Sequence, residues 1–290
     1  MSLPITRGRT DPPARVVIYG PPGIGKSTWA ASCTGALALD YERGLEHIGC
    51  DRVLGADTWG GSVTLVQAAL AEPGYRALVI DTADRLEDQA AAAVCRDGGK
   101  KTLSDFKWGD GFHALSARWR ELLSVLEGAE REVVLVAHQA KVGVTDPELG
   151  RYDGFTAQLS KGVWSQTFRW ADGVFYASYD KTLYTPQGEA PRTGQMILSG
   201  QRVLRTQSGT GFEAKNRWNL PAVLPLDYAA FAAARAAGSR TEAQVREEIV
   251  SMGASAPEEV RARAADLMSR ADTIDKLITV EKWLKSKVSR

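Results

Sequence analysis

Apolar residues along the chain fall into short runs separated by longer amphipathic stretches. Strand-like runs, short and rich in aliphatic or β-branched residues, occupy 14–19, 36–39, 77–80 and 132–137. Helical spacing of apolar residues appears over 62–71, 86–95 and 112–127. Short apolar runs predict strands that are buried on both faces, as in a parallel sheet. The alternation of the two patterns therefore predicts an α/β fold with a mostly parallel sheet.

The pattern changes after residue 171, where short strand-like runs are separated by tight turns. These turns are predicted at 185–188, 199–201 and 208–211. They favour antiparallel hairpins that extend the sheet. Beyond a linker near residue 238, helices are predicted at 241–252, 256–270 and 271–286, where Ser, Thr and Pro give N-terminal signals.

The predicted organisation has three parts. Residues 1–14 form a polar, proline-stiffened leader, 15–237 an α/β core, and 238–290 a small C-terminal helical appendage. The apolar residues of the last helix are accompanied by several lysines. Both a packed helical tail and a partner- or DNA-binding module fit that pattern.

The most specific motif follows the first predicted strand. It reads Gly20-Pro21-Pro22-Gly23-Ile24-Gly25-Lys26-Ser27-Thr28. This is a complete G-x-x-x-x-G-K-[ST] phosphate loop with a strand before it and a helix after it. Glycines let consecutive N–H groups point at phosphate oxygens, and a helix N-terminus adds partial positive charge. Lys26 is expected to reach the β- and γ-phosphates, and Ser27 to hold Mg²⁺. The motif predicts binding of a nucleoside triphosphate, taken as ATP.

A second motif is the apolar strand that ends in Asp81. A single carboxylate at the tip of such a strand is typical of a Walker B element, which holds a Mg²⁺ water or the Ser27 hydroxyl. The alternative is that Asp81 serves only as the N-cap of the helix that follows.

Composition narrows the class of protein without identifying it. The 290 residues are 44% hydrophobic and 24% charged with a net charge of +1, so a nucleic-acid site has to be a local patch. The three cysteines lack C-x-x-C spacing, which argues against a zinc site or a disulfide framework. No apolar run is long enough to span a membrane, and we expect a cytoplasmic protein.

Two glycine-containing segments are predicted to be loops, 96–111 and 140–163. Their cationic and aromatic residues are Lys100, Lys101, Lys107, Trp108, Lys141, Arg151 and Lys161. Lysines that follow a phosphate backbone and aromatic rings that stack on bases are typical of sequence-tolerant binding to single-stranded DNA. The alternative is an ordinary solvated loop whose aromatic side chains pack onto the core.

Taken together, the motifs resemble the phage AAA-type ATP-binding proteins, which are compact RecA-like ATPases and include single-strand annealing recombinases. The resemblance covers about 15–235. It is carried by the phosphate loop, 39–42, 79–82, 136–138, Ala171-Asp172 and Lys215-Asn216-Arg217. It implies a RecA-like P-loop NTPase fold whose loops at 96–111 and 140–163 bind DNA.

The resemblance also implies roles for individual residues. Glu42 matches the carboxylate that polarises the attacking water, with Asp40 as a rival, although both residues also suit a role as helix caps or as ion-pair partners of Arg43. His138 and Gln139 both fit the position that senses the γ-phosphate. Lys215 and Arg217 resemble cations that reach the γ-phosphate of a neighbouring subunit; the alternative is a solvated surface hairpin.

We therefore expect an ATPase, with ATP and Mg²⁺, that acts on single-stranded DNA in phage recombination or replication. It would form a homo-oligomer with ATP at subunit interfaces, encoded by a phage or prophage and working in the host cytoplasm. A single-strand-binding or replication protein is a further expected partner. Two alternatives stay open: a regulatory switch that binds a protein partner, and a small-molecule kinase. The choice between ATP and GTP is also open.

Overall fold

The computed structural model describes residues 10, 12–148, 150–183, 196–240 and 242–288. Most of the predicted leader and the turn predicted at 185–188 lie outside these residues. The chain divides into two compact units, residues 1–233 and 234–290. The boundary predicted at 237/238 lies inside a helix that runs across this division.

The first unit is built on one sheet flanked by helices. Its strands are β1 (Arg15–Gly20), β2 (Ala36–Asp40), β3 (Asp51–Leu54), β4 (Ala77–Asp81), β5 (Glu132–Asp146), β6 (Gly150–Ala157), β7 (Gly173–Leu183), β8 (Met196–Arg205), β9 (Lys215–Asn216) and β10 (Val223–Pro225). Its helices are α1 (Lys26–Ala31), α2 (Trp59–Ala71), α3 (Ala83–Asp97), α4 (Asp110–Glu127), α5 (Lys161–Trp170) and α6 (Tyr228–Ser239), the last of which continues into the second unit.

The strand order is β10-β8-β7-β1-β5-β4-β2-β3, with β6 on β5 and β9 on β7. Strand β1 pairs in parallel with both β5 and β7. The parallel set continues through β4, β2 and β3, whereas β8 and β10 extend the other side in antiparallel pairs. The prediction of an α/β fold with a mostly parallel sheet, extended by antiparallel hairpins, is confirmed. This topology brings the ends of β1, β2, β4 and β5 to one edge.

Both faces of the sheet are packed with large side chains. On one face, Tyr19 lies against Trp164 and Tyr176, within a core that includes the fully buried Trp119. Elsewhere Trp29 of α1 contacts the rings of Phe175 and Phe231. Since β1 alternates its side chains between these two clusters, the phosphate loop leaves a strand that is fixed from both sides.

The prediction of a long loop at 140–163 is wrong. Strand β5 continues to Asp146 and turns back into β6, with Asp146 paired with Gly150 and Gln139 paired with Ala157. Gly150 has φ 75°, a left-handed conformation that glycine adopts without steric cost. Helix α5 then begins at Lys161. Many of these hairpin residues are exposed, which removes the one-sided apolar alternation that marks a strand.

The segment 96–111 contains two short 3-10 turns, Leu103–Asp105 and Lys107–Gly109. Thr102 and Asp105 form a reciprocal capping box around the first turn. Leu103 and Phe106 pack against the core, and Arg118 of α4 pairs with Asp97 at the end of α3. The segment is therefore anchored at several points.

The second unit contains α7 (Glu242–Gly253), α8 (Glu258–Ser269) and α9 (Ile274–Val288), close to the three predicted helices. They pack around their own core, which includes Val245, Ile249, Leu277 and Leu284. Glu281 is buried there and pairs with Arg240 and Lys285. Among the described residues of both units, no helix is long and apolar enough to cross a membrane.

Candidate functional site

The phosphate loop leaves β1 at Gly20, where the backbone passes very close to β7. A Cβ atom at Gly20 would lie 2.3 Å from the Ala177 carbonyl oxygen, so only glycine fits. Gly23 and Gly25 have φ 72° and 109°, which L-residues rarely adopt. The three glycines thus give the loop its close approach and its curl.

Lys26 is buried, with 5% of the residue exposed. Its amine donates hydrogen bonds to the carbonyls of Gly20 and Pro21, both at 3.0 Å. Burial lowers the pKa of Lys26, and the nearby Asp81, Asp84 and Glu42 carboxylates oppose that shift. The amine is therefore held at the mouth of the loop, where phosphate oxygens would replace the carbonyls.

Ser27 and Asp81 both line the cavity beside the loop. Burial raises the pKa of Asp81 to about 6, and the Asp40 and Glu42 charges add to the effect. The N-cap of α3 is Thr82 rather than Asp81, contrary to the alternative considered from sequence. A hydroxyl beside a buried carboxylate is the oxygen donor set that suits Mg²⁺. These two residues therefore fit the cation that the motif implies.

Glu42 faces the same cavity from the turn after β2. Its Oε1 accepts hydrogen bonds from Arg85 Nε (3.1 Å) and Thr82 Oγ1 (3.4 Å), and its Oε2 lies 3.8 Å from His138 Nε2. Asp40, the rival from sequence, uses both carboxylate oxygens to accept N–H groups of its own turn, at Glu42, Gly44 and Leu45. Asp40 therefore shapes the turn that directs Glu42 into the cavity.

His138 and Gln139, at the predicted sensor position, point in different directions. Asp84 Oδ1 accepts the His138 backbone N–H at 3.1 Å, and its Oδ2 lies 2.9 Å from His138 Nδ1. That hydrogen bond raises the pKa of His138. Gln139 instead accepts a hydrogen bond from the Tyr176 hydroxyl at 3.1 Å. His138, held between Asp84 and Glu42, is thus the member of the pair that lies at the cavity.

The cavity over the loop has a volume of about 310 Å³. It is lined by Pro22, Gly23, Gly25, Lys26, Ser27, Thr28, Glu42, Asp81, Thr82, His138 and Arg202. Arg202, on β8, was not predicted from sequence. Its Nη1 donates a hydrogen bond to the Ile24 carbonyl at 3.3 Å. The only signal for it in the sequence is a cation in a short late strand, which has no distinctive spacing.

Lys215 and Arg217 lie away from this cavity. Lys215 pairs with Val174 near the start of β7, whereas the phosphate loop follows the end of β1, and β1 and β7 are parallel. The Lys215 amine donates to the carbonyls of Phe168, Arg169 and Ala171 at the end of α5. Arg217 pairs with Asp172 at 2.9 Å and is 53% exposed. Neither cation reaches the phosphate loop of its own chain.

The residues predicted to bind DNA are all exposed, but they differ in their surroundings. Trp108 is 92% exposed and has φ 56°, between the packed Phe106 and Gly109. Lys141 pairs with Asp153 at 2.7 Å on the β5–β6 hairpin. The remaining predicted residues are Lys100, Lys101, Lys107, Arg151 and Lys161, each of them exposed.

Comparisons with known proteins place the chain in a family. A search of curated proteins found no match. Among solved structures, the chain is similar to a KaiC-like protein from the hyperthermophilic archaeon Pyrococcus horikoshii, with 13% identity and a TM-score of 0.37 over 66% of this chain and 77% of that one. A family model described as AAA domain matches residues 12–218, well over half of the chain. With this match and a complete phosphate loop after its first strand, the chain belongs to this AAA domain family of P-loop NTPases.

Proposed function

We propose that the chain is a Mg²⁺-dependent ATPase whose hydrolysis is coupled to single-stranded DNA. The observation that supports hydrolysis is the convergence of Lys26, Ser27, Asp81 and Glu42 on one cavity of about 310 Å³. A phosphate loop accounts for binding alone, whereas a carboxylate opposite it supplies a group that can polarise water.

In this proposal each side chain has one task. Lys26 exchanges the Gly20 and Pro21 carbonyls for β- and γ-phosphate oxygens. Because the amine is buried, water screens its attraction to the phosphates less than it would at the surface. Ser27 and Asp81 hold Mg²⁺, which when bound offsets charge on the phosphate oxygens. Glu42 accepts a proton from the attacking water. His138 lies 3.8 Å behind Glu42 and fixes its orientation, since Asp84 fixes His138.

The observation that supports DNA binding is the indole of Trp108. This ring is 92% exposed. Its segment is anchored to the core by Phe106 and by the Asp97–Arg118 pair, so the backbone fixes the indole in an exposed position. Base stacking on such a ring is worth about 1–3 kcal/mol. The exposed Lys100, Lys101 and Lys107 add phosphate contacts in the same segment.

An oligomer with ATP at subunit interfaces is also part of the proposal. The half-exposed Arg217 is the cation available to a neighbouring subunit, because the Lys215 amine is already used by three carbonyls. The expected setting is phage recombination or replication in the host cytoplasm, beside a single-strand-binding or replication protein.

The test is the ATPase rate against protein concentration, with and without single-stranded DNA. Wild type should be stimulated by DNA, and its rate per subunit should rise with concentration. Glu42→Gln should bind ATP yet lose at least about a hundredfold in turnover, whereas Lys26→Ala should lose binding. Trp108→Ala should weaken DNA binding about tenfold or more without changing ATP affinity.

The matched control for Trp108→Ala is Leu54→Ala, which removes another exposed apolar side chain outside that segment. If turnover is slow and indifferent to DNA and to concentration, the ATPase–DNA proposal fails and a nucleotide switch that binds a protein partner takes its place. Equal DNA binding by wild type and Trp108→Ala would remove the indole from the proposed surface.

A further inference from the structure

We propose that Arg202 is a phosphate-binding residue that acts in cis, on the α- and β-phosphates of the nucleotide rather than on the γ-phosphate. The assignment rests on the proposed nucleotide binding at the phosphate loop. It adds a second cation to that site, from a strand that carries no recognised motif.

The position of Arg202 follows from the sheet register. Arg202 pairs with Tyr179, and Arg205 pairs with Tyr176, so these arginines, three residues apart, leave β8 on opposite faces. Arg205 stacks over Phe212 and donates to Ser178. Arg202 reaches the loop instead, where its Nη1 would lie 3.1 Å from a Cβ atom placed on Gly25.

The charges around the cavity explain why a second cation is useful. Glu42 and Asp81 line the cavity, and Asp84 lies just behind His138. A polyphosphate that enters this acidic site has to be offset by cations, and Lys26 and Arg202 are the permanent cations among the lining residues. Within the described part of the chain, Arg202 forms no ion pair, whereas Arg205 lies 3.6 Å from Asp180.

The bond that Arg202 makes in this structure is easily exchanged. Its 3.3 Å contact with the Ile24 carbonyl is longer than a normal N–H···O hydrogen bond. A guanidinium binds phosphate oxygens through two parallel charge-assisted hydrogen bonds, which are stronger than one long bond to a neutral carbonyl. Phosphate is therefore the better partner for the same side chain.

The choice of α- and β-phosphates follows from the strand order. Glu42, Asp81 and His138 come from β2, β4 and β5, on one side of β1, whereas Arg202 comes from β8 on the other side. The hydrolysed γ-phosphate has to lie toward Glu42. The remainder of the polyphosphate then lies toward Arg202, beside Ile24 and Gly25.

The experiment measures the binding of ATP, ADP and inorganic pyrophosphate by the full chain, together with kcat for ATP. Arg202→Ala should weaken all three affinities about ten- to a hundredfold, the usual range for lost charge-assisted hydrogen bonds. At saturating ATP its kcat should fall by a smaller factor than its ADP affinity does, and Arg202→Lys should recover part of the affinity. Arg205→Ala, which removes the same charge from the other face of β8, is the control. Thermal melting verifies that each variant is folded.

Three outcomes would overturn the assignment while leaving nucleotide binding intact. ADP affinity equal to that of wild type would exclude a contact with the α- and β-phosphates. A loss of kcat alone would move Arg202 to the γ-phosphate. Weaker ADP binding with unchanged pyrophosphate binding would move it to the base or ribose. If wild type itself binds none of the three, the proposed function fails and this assignment fails with it.

Discussion

At the scale of single residues, Asp81 illustrates how function costs stability. Only 3% of this residue is exposed, and it lies near the Asp40 and Glu42 carboxylates. Burial raises the pKa of Asp81 from 3.8 to about 6. At neutral pH the folded protein therefore carries an ionised group that the unfolded chain solvates better. A bound cation would remove that cost.

We predict that Asp81→Asn stabilises the nucleotide-free protein by roughly 1–3 kcal/mol at pH 7. Because the folded pKa lies above the unfolded one, the contribution of Asp81 to the stability of wild type falls as the pH rises from about 4 to about 6. The groups common to both proteins cancel in the comparison, so the difference between the two proteins grows over that window. Urea unfolding of both proteins at several pH values measures the difference in their free energies of unfolding. The same variant should lose Mg²⁺-dependent ATP hydrolysis.

The control is Asp57→Asn, at an exposed carboxylate, which should change stability little. A destabilised Asp81→Asn protein, or a difference from wild type that does not change between pH 4 and pH 6, would contradict the prediction.

The site residues that could be predicted from the sequence are those whose role depends on local spacing. Lys26 and Ser27 belong to one contiguous motif, and Asp81 ends an apolar strand, so each was predicted to lie at the site. Glu42 was selected through family resemblance and does face the cavity. Arg202 was missed because its position depends on the pairing of β8 with β7 and on which face of β8 it occupies, neither of which is encoded by nearby residues.

At the scale of elements, the close approach of β1 and β7 determines where the phosphate loop begins. We predict that Gly20→Ala destabilises the protein by about 1–3 kcal/mol, because its new methyl group would lie 2.3 Å from a backbone carbonyl that cannot rotate away. Urea unfolding measures the loss, and ATP affinity should fall with it.

The matched control is Gly60→Ala, in the first turn of α2, where the added methyl group would contact nothing beyond its chain neighbours and the backbone of its own helix. This variant should be neutral or slightly stabilising, because alanine favours a helix over glycine. Equal effects of the two substitutions would show that the contact between β1 and β7 is not the cause.

Lys215 provides a test of the trans-acting role that the resemblance implied. The structure uses its amine to satisfy three carbonyls at the C-terminal end of α5, at 2.9, 3.1 and 2.6 Å. We predict that Lys215→Met lowers the free energy of unfolding by about 1–3 kcal/mol and leaves the kcat of the folded protein within about twofold.

The comparison variant is Arg217→Met, which loses one partly exposed ion pair with Asp172. It should lower the free energy of unfolding by less than about 1 kcal/mol. A Lys215→Met protein with wild-type stability and a thousandfold loss of turnover would instead support a cation that acts on a neighbouring subunit.

The elements that sequence predicted well are those buried on both sides. Strands β1, β2 and β4 are almost wholly buried, so their apolar runs are continuous and unambiguous. The β5–β6 hairpin was not predicted, because many of its residues are exposed and glycines interrupt its apolar pattern. Its pairing depends on backbone hydrogen bonds between strands, which leave little trace in side-chain chemistry.

At the scale of the whole molecule, the chain contains two cores rather than one. Residues 245–284 supply the buried core of the second unit, and the aromatic cluster of Trp29, Phe175 and Phe231 belongs to the first. Sequence indicated a linker that begins near residue 238, and helix α6 ends at Ser239. Alanine-rich stretches such as 229–237 favour a helix whether they join two units or end one, so composition predicts the helix but not the residue at which the units divide.

The position of α6 leads to a prediction about truncation. Tyr228 and Phe231, at its start, contact the Trp29 ring beneath the phosphate loop, with centroids 5.4 and 5.3 Å away. A chain that ends at Ser239 keeps these contacts and should unfold cooperatively and bind ATP like the full protein, because the deleted residues pack among themselves. A chain that ends at Asp227 loses the cluster and should melt several degrees lower with weaker ATP binding, since removing a buried Phe side chain alone costs about 3–5 kcal/mol. Calorimetry and nucleotide titration of the two truncations measure this difference. Equal melting temperatures for both, or loss of ATP binding in the longer one, would show that the site depends on the second unit rather than on the start of α6.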